Sequence, residues 1–303
     1  MKLVLFGAGG ETPAAALRAL LRRHQVQAVV RPLNHARWTR RALLPLATLL
    51  KLRQADPFEQ EARRAGIPVL FARSGGDRVL QKQLSRLDPE LICIASFPWL
   101  LHKSIFELPR FGSVNAHASL LPRHRGPNPY FWVYYHDDAR TGVSVHVVTA
   151  AADAGAILMQ ADFPVHRGMS IGEMHAQNAR LGAELLADVA GRMETRTLQP
   201  IAQDAAKVTL APRVTHGSPM IPFHEWPAER VWHVMSGLLP HFREPLTCDG
   251  NALLYERVTG YERSESQGEP GRTVRHNDTF RVHCRDGDVI VRGRLVRAGK
   301  PQG

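Results

Sequence analysis

Met1-Lys-Leu-Val-Leu-Phe-Gly-Ala-Gly-Gly-Glu-Thr-Pro-Ala-Ala-Ala-Leu-Arg-Ala-Leu-Leu-Arg-Arg-His-Gln-Val-Gln-Ala-Val-Val30 reads as strand, tight turn, helix and strand. The run 3–6 is apolar at every position and too short for a buried helix, so it reads as a parallel strand covered on both faces. Leu17, Leu20 and Leu21 recur at helical spacing within 13–24, and the run 26–30 repeats the first strand. Outward from this unit the rhythm continues, with apolar runs at 69–71 and 91–95 flanking a helical pattern at 77–87. Such alternation predicts a doubly wound α/β sheet. Residues 142–148 and 163–165 read as a later pair of strands, and 170–193 as a long closing helix. Ser170 and Glu173 stand at its start with the spacing of a capping box.

Gly7-Ala-Gly-Gly10 follows the first strand as a dinucleotide-binding turn does. That fingerprint needs a third glycine where Thr12 stands and an acid where Arg31 stands. NAD is therefore disfavoured. The turn is expected to line a pocket instead, with Gly9 against a substrate.

Near Thr197 the texture changes. Prolines, glycine and mixed polar residues without clear periodicity make 198–222 a linker between a first domain, 1–197, and a second, 223–303. In the second, 227–238 reads as a helix with Pro227 in its first turn. Short β-like runs follow, punctuated by Asp249-Gly250 and Asp286-Gly287, which are hairpin signals. A small β-barrel-like domain of the OB type is the expected result. No internal repeat or low-complexity tract is present.

The chain has 303 residues, 44% hydrophobic and 22% charged, ordinary values for a globular protein with a full core. Cys93, Cys248 and Cys284 are isolated, which fits a reducing compartment and offers no redox or zinc pair. Fifteen histidines form no HExxH pair, so no metal is expected. The five apolar residues before the first glycine are too few for a signal peptide, and no window approaches the roughly 20 apolar residues of a membrane span. A cytoplasmic enzyme is expected. The formal charge of +11 is concentrated: nine Lys or Arg and no acid lie between Thr12 and Ala55. Such a field attracts phosphates, unless it is simply a solvated basic face. Within it, residues 37–53 combine cations, Trp38 and an apolar run broken by Pro45. Two readings are a weak contact with a membrane surface and a flap packing its leucines over an active site. The flap is preferred.

Chemistry concentrates in Ser113-Val-Asn-Ala-His-Ala-Ser-Leu-Leu-Pro-Arg-His-Arg-Gly126 and in Asp153, about one hairpin later. Asn115 and His117, two apart on an extended segment, point to one face. The amide can hydrogen-bond a developing oxyanion, the imidazole can move a proton, and the carboxylate can orient and stabilise the imidazolium. No GxSxG elbow supplies a nucleophile. Direct attack of an acceptor amine on an activated acyl carbonyl is the simplest chemistry. A lone His117 would read as a core residue; Asn115 and Asp153 beside it favour the functional reading.

Asn115-Ala-His-Ala-Ser-Leu-Leu-Pro-Arg-His-Arg-Gly126, Thr141-Gly-Val-Ser-Val-His146 and Ala152-Asp-Ala-Gly-Ala-Ile-Leu-Met-Gln160 together resemble the 10-formyltetrahydrofolate-dependent formyltransferases, over roughly residues 1–200. The resemblance implies a Rossmann-like formyltransferase domain in which Asn115, His117 and Asp153 are the catalytic set. It implies 10-formyltetrahydrofolate as the formyl donor. The pterin would be held by residues 97–102, with Phe97, Trp99, Leu100 and Leu101, and by the turn that carries Ala152 and Asp153. Leu121 and Pro122 would shape the folate pocket. The β-rich tail resembles the small C-terminal barrel of the methionyl-tRNA and sugar formyltransferases.

For the acceptor the chain departs from both branches. Methionyl-tRNA formyltransferases usually continue the loop as Arg-Gly-Ala-Ala-Pro-Ile; here it reads Arg125-Gly-Pro-Asn-Pro-Tyr-Phe-Trp132. This stretch, with the later two motifs, looks closer to enzymes that formylate amino sugars on nucleotides. A small amine such as a nucleotide-linked amino sugar is the expected acceptor, touched by Gly9, Arg125, Tyr130 and Trp132. Charged initiator tRNA is the alternative, since the basic insertion after Val30 is reminiscent of the loop that grips an acceptor stem. The aromatics at 130–132 read equally as a core cluster at a helix start. Hydrolysis of formyl-folate is a further alternative, disfavoured because no regulatory domain precedes Met1. A non-catalytic module is disfavoured by the intact Asn115, His117 and Asp153.

Overall fold

The computed structural model describes residues 1–33, 56–215, 217, 219–264 and 268–297; the basic and apolar stretch at 37–53 lies outside them. The elements of the first two hundred residues are β1 (Lys2–Phe6), α1 (Glu11–Leu21), β2 (Gln25–Pro32), α2 (Pro57–Arg64), β3 (Val69–Ala72), α3 (Arg78–Leu87), β4 (Leu91–Ala95), α4 (Lys103–Phe106), β5 (Ser113–His117), α5 (Pro129–Tyr135), β6 (Arg140–Val147), β7 (Ile157–Pro164) and α6 (Ile171–Thr195). Two compact units divide the chain. Met1–Pro129, Thr141–Phe163 and His175–Pro212 form the first; Tyr130–Arg140, Pro164–Met174 and the residues from Arg213 onward form the second.

The first unit is built on a seven-stranded sheet of order β3-β2-β1-β4-β5-β6-β7. β1 pairs parallel with β2 and β4, β2 with β3, and β4 with β5, while β5 and β6 run antiparallel. Apolar residues at every position of β4, and at 3–6 of β1, serve two cores. Leu3, Leu5, Leu91 and Cys93 pack with Leu17 and Leu20 of α1 and with Leu186 and Val189 of α6. Val4, Phe6, Ile92 and Ile94 face the other way, onto Leu80 and Leu84 of α3 and Phe106 of α4. Each such leucine or phenylalanine contributes about 1.5–3 kcal/mol by leaving water, so the doubly wound arrangement follows directly from these unbroken apolar runs.

The chain builds β1, β2 and β3 outward on one side, then returns to place β4 and β5 on the other. The crevice of such a sheet opens at the carboxyl ends where that direction switches, here between β1 and β4. Ala8 N–H donates to the Ser96 carbonyl there at 2.7 Å.

The strand expected at 163–165 is longer and begins at Ile157. β7 is an edge strand with Met159, Ala161 and Phe163 alternating against exposed Gln160, Asp162 and Pro164, so only its last turn resembles an unbroken apolar run. The capping box at α6 is present: Ser170 N–H donates to Glu173 Oε2 at 2.7 Å, and Glu173 N–H to Ser170 Oγ at 3.2 Å.

In the second unit α7 (Ala228–Leu238) accompanies β8 (Leu246–Cys248), β9 (Asn251–Arg263), β10 (Thr273–His276), β11 (Thr279–Cys284) and β12 (Gly287–Val296). These strands form an antiparallel half-barrel of order β10-β11-β12-β9-β8. Asp249 and Gly250, at φ 50° and 75°, make the two-residue turn between paired Cys248 and Asn251. The second hairpin is shifted by one residue. Cys284 pairs with Gly287, so the turn is Arg285-Asp286 and the glycine opens β12. A side chain at Gly287 would meet the Glu262 carbonyl at 2.0 Å. Pro227 is the residue before α7 rather than inside its first turn, and Asp286 accepts from Ala228 N–H at 2.7 Å. No helix among the described residues is long and apolar enough to cross a membrane.

Candidate active site at the carboxyl end of the fifth strand

Register decides which side chains meet. In the antiparallel β5–β6 pair Asn115 lies opposite His146 and His117 opposite Ser144. The first of these pairs is bonded side chain to side chain, Asn115 Nδ2 to His146 Nε2 at 3.2 Å. His146 Nδ1 points at the Val147 carbonyl at 2.9 Å. A carbonyl only accepts, so Nδ1 carries the proton and Nε2 offers its lone pair to the Asn115 amide. One further Nδ2–H of Asn115 has its bonding capacity left.

His117 is treated alike. Its Nε2 faces the His124 carbonyl at 2.8 Å, which places the proton of the neutral ring there. The Nδ1 lone pair then faces Asp153 Oδ1 at 3.7 Å, while His146 Nε2 lies 3.4 Å from the same oxygen. Asp153 Oδ2 accepts from Gly126 N–H at 2.9 Å. One carboxylate oxygen thus stands before two imidazole nitrogens that both lack a proton in the neutral state.

Burial governs the first titration. It pushes the His117 imidazolium down, and the His146 and His124 rings add to this; Asp153 and the His124 carbonyl oppose it without reversing the direction. For Asp153 burial acts upward. It is outweighed by the hydrogen bond His146 donates and the charge His117 carries when those rings are protonated, and by the Gly126 N–H, which together hold the carboxyl below its ordinary value. The result is a neutral base beside a fixed anion.

The loop between His117 and Gly126 is tied down on the sheet. Ser144 Oγ donates to the Ser119 carbonyl at 2.6 Å and accepts from Leu121 N–H at 2.9 Å. Gln160 donates to both the Leu121 carbonyl and Ser144 Oγ, at 2.9 and 2.7 Å. From the other side Arg125 bridges to Leu210, and His124 N–H donates to Thr209 Oγ1 at 2.8 Å. Gly126, at φ 126°, brings its α-carbon so close to the segment 209–211 that a side chain would sit 2.7 Å from the Ala211 carbonyl.

The structure brings Asn115, His117 and Asp153 into one cluster. Of the residues expected to hold a folate, Phe97 makes edge-to-face contacts with Phe6 and Trp99, at 5.2 and 5.6 Å between centroids. Leu101 and Leu121 are buried, Leu100 and Ala152 exposed, and Pro122 half-buried. Leu101 and Leu121 therefore act by packing. Gly9 lies against the site's own framework: a side chain there would meet Asp56 Oδ2 and an Arg31 nitrogen at 2.5 and 2.6 Å. Asp56 also accepts from Gly10 N–H at 3.0 Å, and buried Arg31 binds Glu59 and the Ala8 carbonyl. A carboxylate thus occupies the position where a dinucleotide turn would receive phosphate. Arg125 donates to Gln203. Tyr130 and Trp132 belong to the second unit, where Trp132 joins Phe131 and Tyr135 edge-to-face at 5.3 and 5.2 Å and stacks on His136.

Sequence reasoning gave His146 and Gln203 no role. The period-two pattern Ser144, His146 on β6 was the available signal for the first; nothing in the aperiodic stretch after Thr197 marked the second.

Comparisons with known proteins follow the same line. A family model described as formyl transferase matches residues 1–190. The methionyl-tRNA formyltransferase of Nitrobacter winogradskyi is 31% identical over 254 residues, 82% of this chain and 79% of that protein. That of Listeria monocytogenes is 27% identical over 302 residues, 100% of this chain and 93% of its own. Among solved structures, the N-formyltransferase from Helicobacter canadensis in complex with folinic acid and dTDP-3-aminofucose superposes with a TM-score of 0.70 at 16% identity, over 97% of this chain and 99% of that one.

Proposed function

The chain belongs to the formyl transferase family, and from that premise we propose that it moves a formyl group from 10-formyltetrahydrofolate to a primary amine at Asn115, His117 and Asp153. The observation that carries this reading is the pocket's division of labour: a neutral imidazole lone pair, an amide N–H and a fixed carboxylate within a few ångströms. When bound, the folate supplies a formyl group on nitrogen; residues 97–102, Pro122 and the turn at 152–153 would hold it. Asn115 donates its remaining N–H to the formyl oxygen as negative charge builds there. His117 takes at Nδ1 the proton that the attacking amine sheds, and returns it to the nitrogen that releases the formyl group. Asp153 stabilises the imidazolium between these two transfers. The His124 carbonyl, rather than Asp153, sets the tautomer of His117.

For the acceptor we favour a nucleotide-linked amino sugar. Support comes from the loop Arg125-Gly-Pro-Asn-Pro-Tyr-Phe-Trp132 and from the end-to-end likeness to a fold that holds such a ligand. Charged initiator tRNA is the second reading, supported by sequence likeness to methionyl-tRNA formyltransferases along the whole chain. The test of the chemistry is transfer from 10-formyltetrahydrofolate to amine acceptors by wild type and His117→Ala. Turnover should fall by about 10²–10⁴-fold in the variant; near wild-type turnover refutes the assignment.

A further inference from the structure

The side chain of Gln203 is bonded on both sides. Its Oε1 accepts from Arg125 Nε at 3.0 Å and Nη2 at 2.7 Å. Its Nε2 donates to the carbonyls of Asp153 and Gly155, at 2.8 and 2.7 Å. All the bonding capacity of the carboxamide is used. One side holds the loop, the other the turn. On the loop, three consecutive residues serve the pocket: the His124 carbonyl receives His117, the Arg125 side chain meets Gln203, and Gly126 N–H donates to the Asp153 carboxylate. On the turn, Asp153 itself has left-handed backbone at φ 50°, and Gly155 approaches the Val147 carbonyl so closely that a side chain would lie 1.9 Å from it.

The geometry points to Gln203 as a positioning residue that clamps the Arg125 loop to the Asp153 turn and so sets the distance between Asp153 and His117. This deepens the formyl-transfer reading and rests on it only for the kinetic part of its test. The charged and titratable groups facing His117 are Asp153 from the β6–β7 turn, His146 of β6, and His124 of its own loop. Of these, only Asp153 favours the imidazolium by its charge, so loosening the clamp lowers the His117 titration.

Gln203→Leu removes both halves of the clamp. Gln203→Glu keeps acceptors for Arg125 but turns an oxygen toward the two turn carbonyls. In both, kcat should fall about 10–100-fold, as expected for a small misplacement of reacting groups. The His117 titration, followed by NMR on histidine-labelled full-length protein, should move to lower pH. Asp153→Asn should move it in the same direction, and the double variant should add nothing further. Should Gln203→Leu fail to fold, Arg125→Met releases the loop half alone and carries the same expectation. Unchanged kcat, or a fall in kcat with an unmoved His117 titration, overturns the proposal. The titration needs no substrate. If it moves while the wild-type protein transfers no formyl group to any amine, the clamp stands and the reaction reading fails.

Discussion

His117 and His146 have each given one N–H to a main-chain carbonyl and turn the other nitrogen toward the same oxygen of Asp153. A proton arriving at either ring therefore faces the same carboxylate oxygen. With His117 as the base, kcat/KM rises through a value below the ordinary imidazole 6.5, so the acidic limb of the pH–rate profile lies below pH 6.5. Asp153→Asn removes the charge that favours the imidazolium. Its limb moves lower still, and turnover falls by up to about 10⁴-fold. His146→Gln removes a neighbour that opposes the imidazolium, so its limb moves up. Opposite displacements in the two variants are the expected result of one pH–rate experiment. Parallel displacements would mean that Asp153 and His146 do not act on the same proton.

Elements hold these residues by two means of different strength. The β6–β7 turn closes because Gly155 lets the chain pass the Val147 carbonyl; Gly155→Ala forces it open. Overpacking of this kind costs about 1–3 kcal/mol, and because the turn carries Asp153, activity should fall with stability. Ser170→Ala removes only the capping box of α6, for about 1 kcal/mol; the melting temperature should drop with turnover intact. Melting curves and turnover of the two variants check the contrast. The capping box was legible from Ser170 and Glu173 because its chemistry is local. The strands β1 and β4 were legible because burial on both faces leaves an unbroken apolar run. Most of β7 is hidden from sequence because an edge strand alternates. Asn115 and His117 were visible from their spacing, and Asp153 from its motif. His146 gains its partner only through the β5–β6 register, and Gln203 reaches both of its neighbours from a segment with no periodic pattern; neither relation is written locally.

For the whole molecule, stability and charge depend on pH and salt in separable ways. Glu244 is 2% exposed and accepts from Met220 and Ile221 N–H, yet burial outweighs these bonds and pushes its carboxyl from 4.5 up to about 7. Between those values the folded chain holds a proton that the unfolded chain has lost. Stability therefore falls as pH rises from about 4.5 through 7, with the contribution complete below that window. Asp153 acts oppositely and elsewhere: its depressed carboxyl stabilises above 3.8 and loses that contribution as pH falls through its folded value. Urea midpoints at pH 5.5 and 8 should thus converge in Glu244→Gln and differ in wild type. The net charge of +11 bears on the acceptor. A transfer RNA presents a row of phosphates, and its binding weakens by roughly one logarithmic unit per tenfold rise in salt for each phosphate neutralised. A nucleotide sugar presents a single diphosphate. Replacing Arg37, Arg40, Arg41, Lys51 and Arg53 by glutamine should therefore leave the salt dependence of amino-sugar formylation nearly flat, as in wild type. A steep wild-type salt dependence with charged initiator tRNA, made shallower by these five substitutions, would instead assign the chain to the tRNA acceptor.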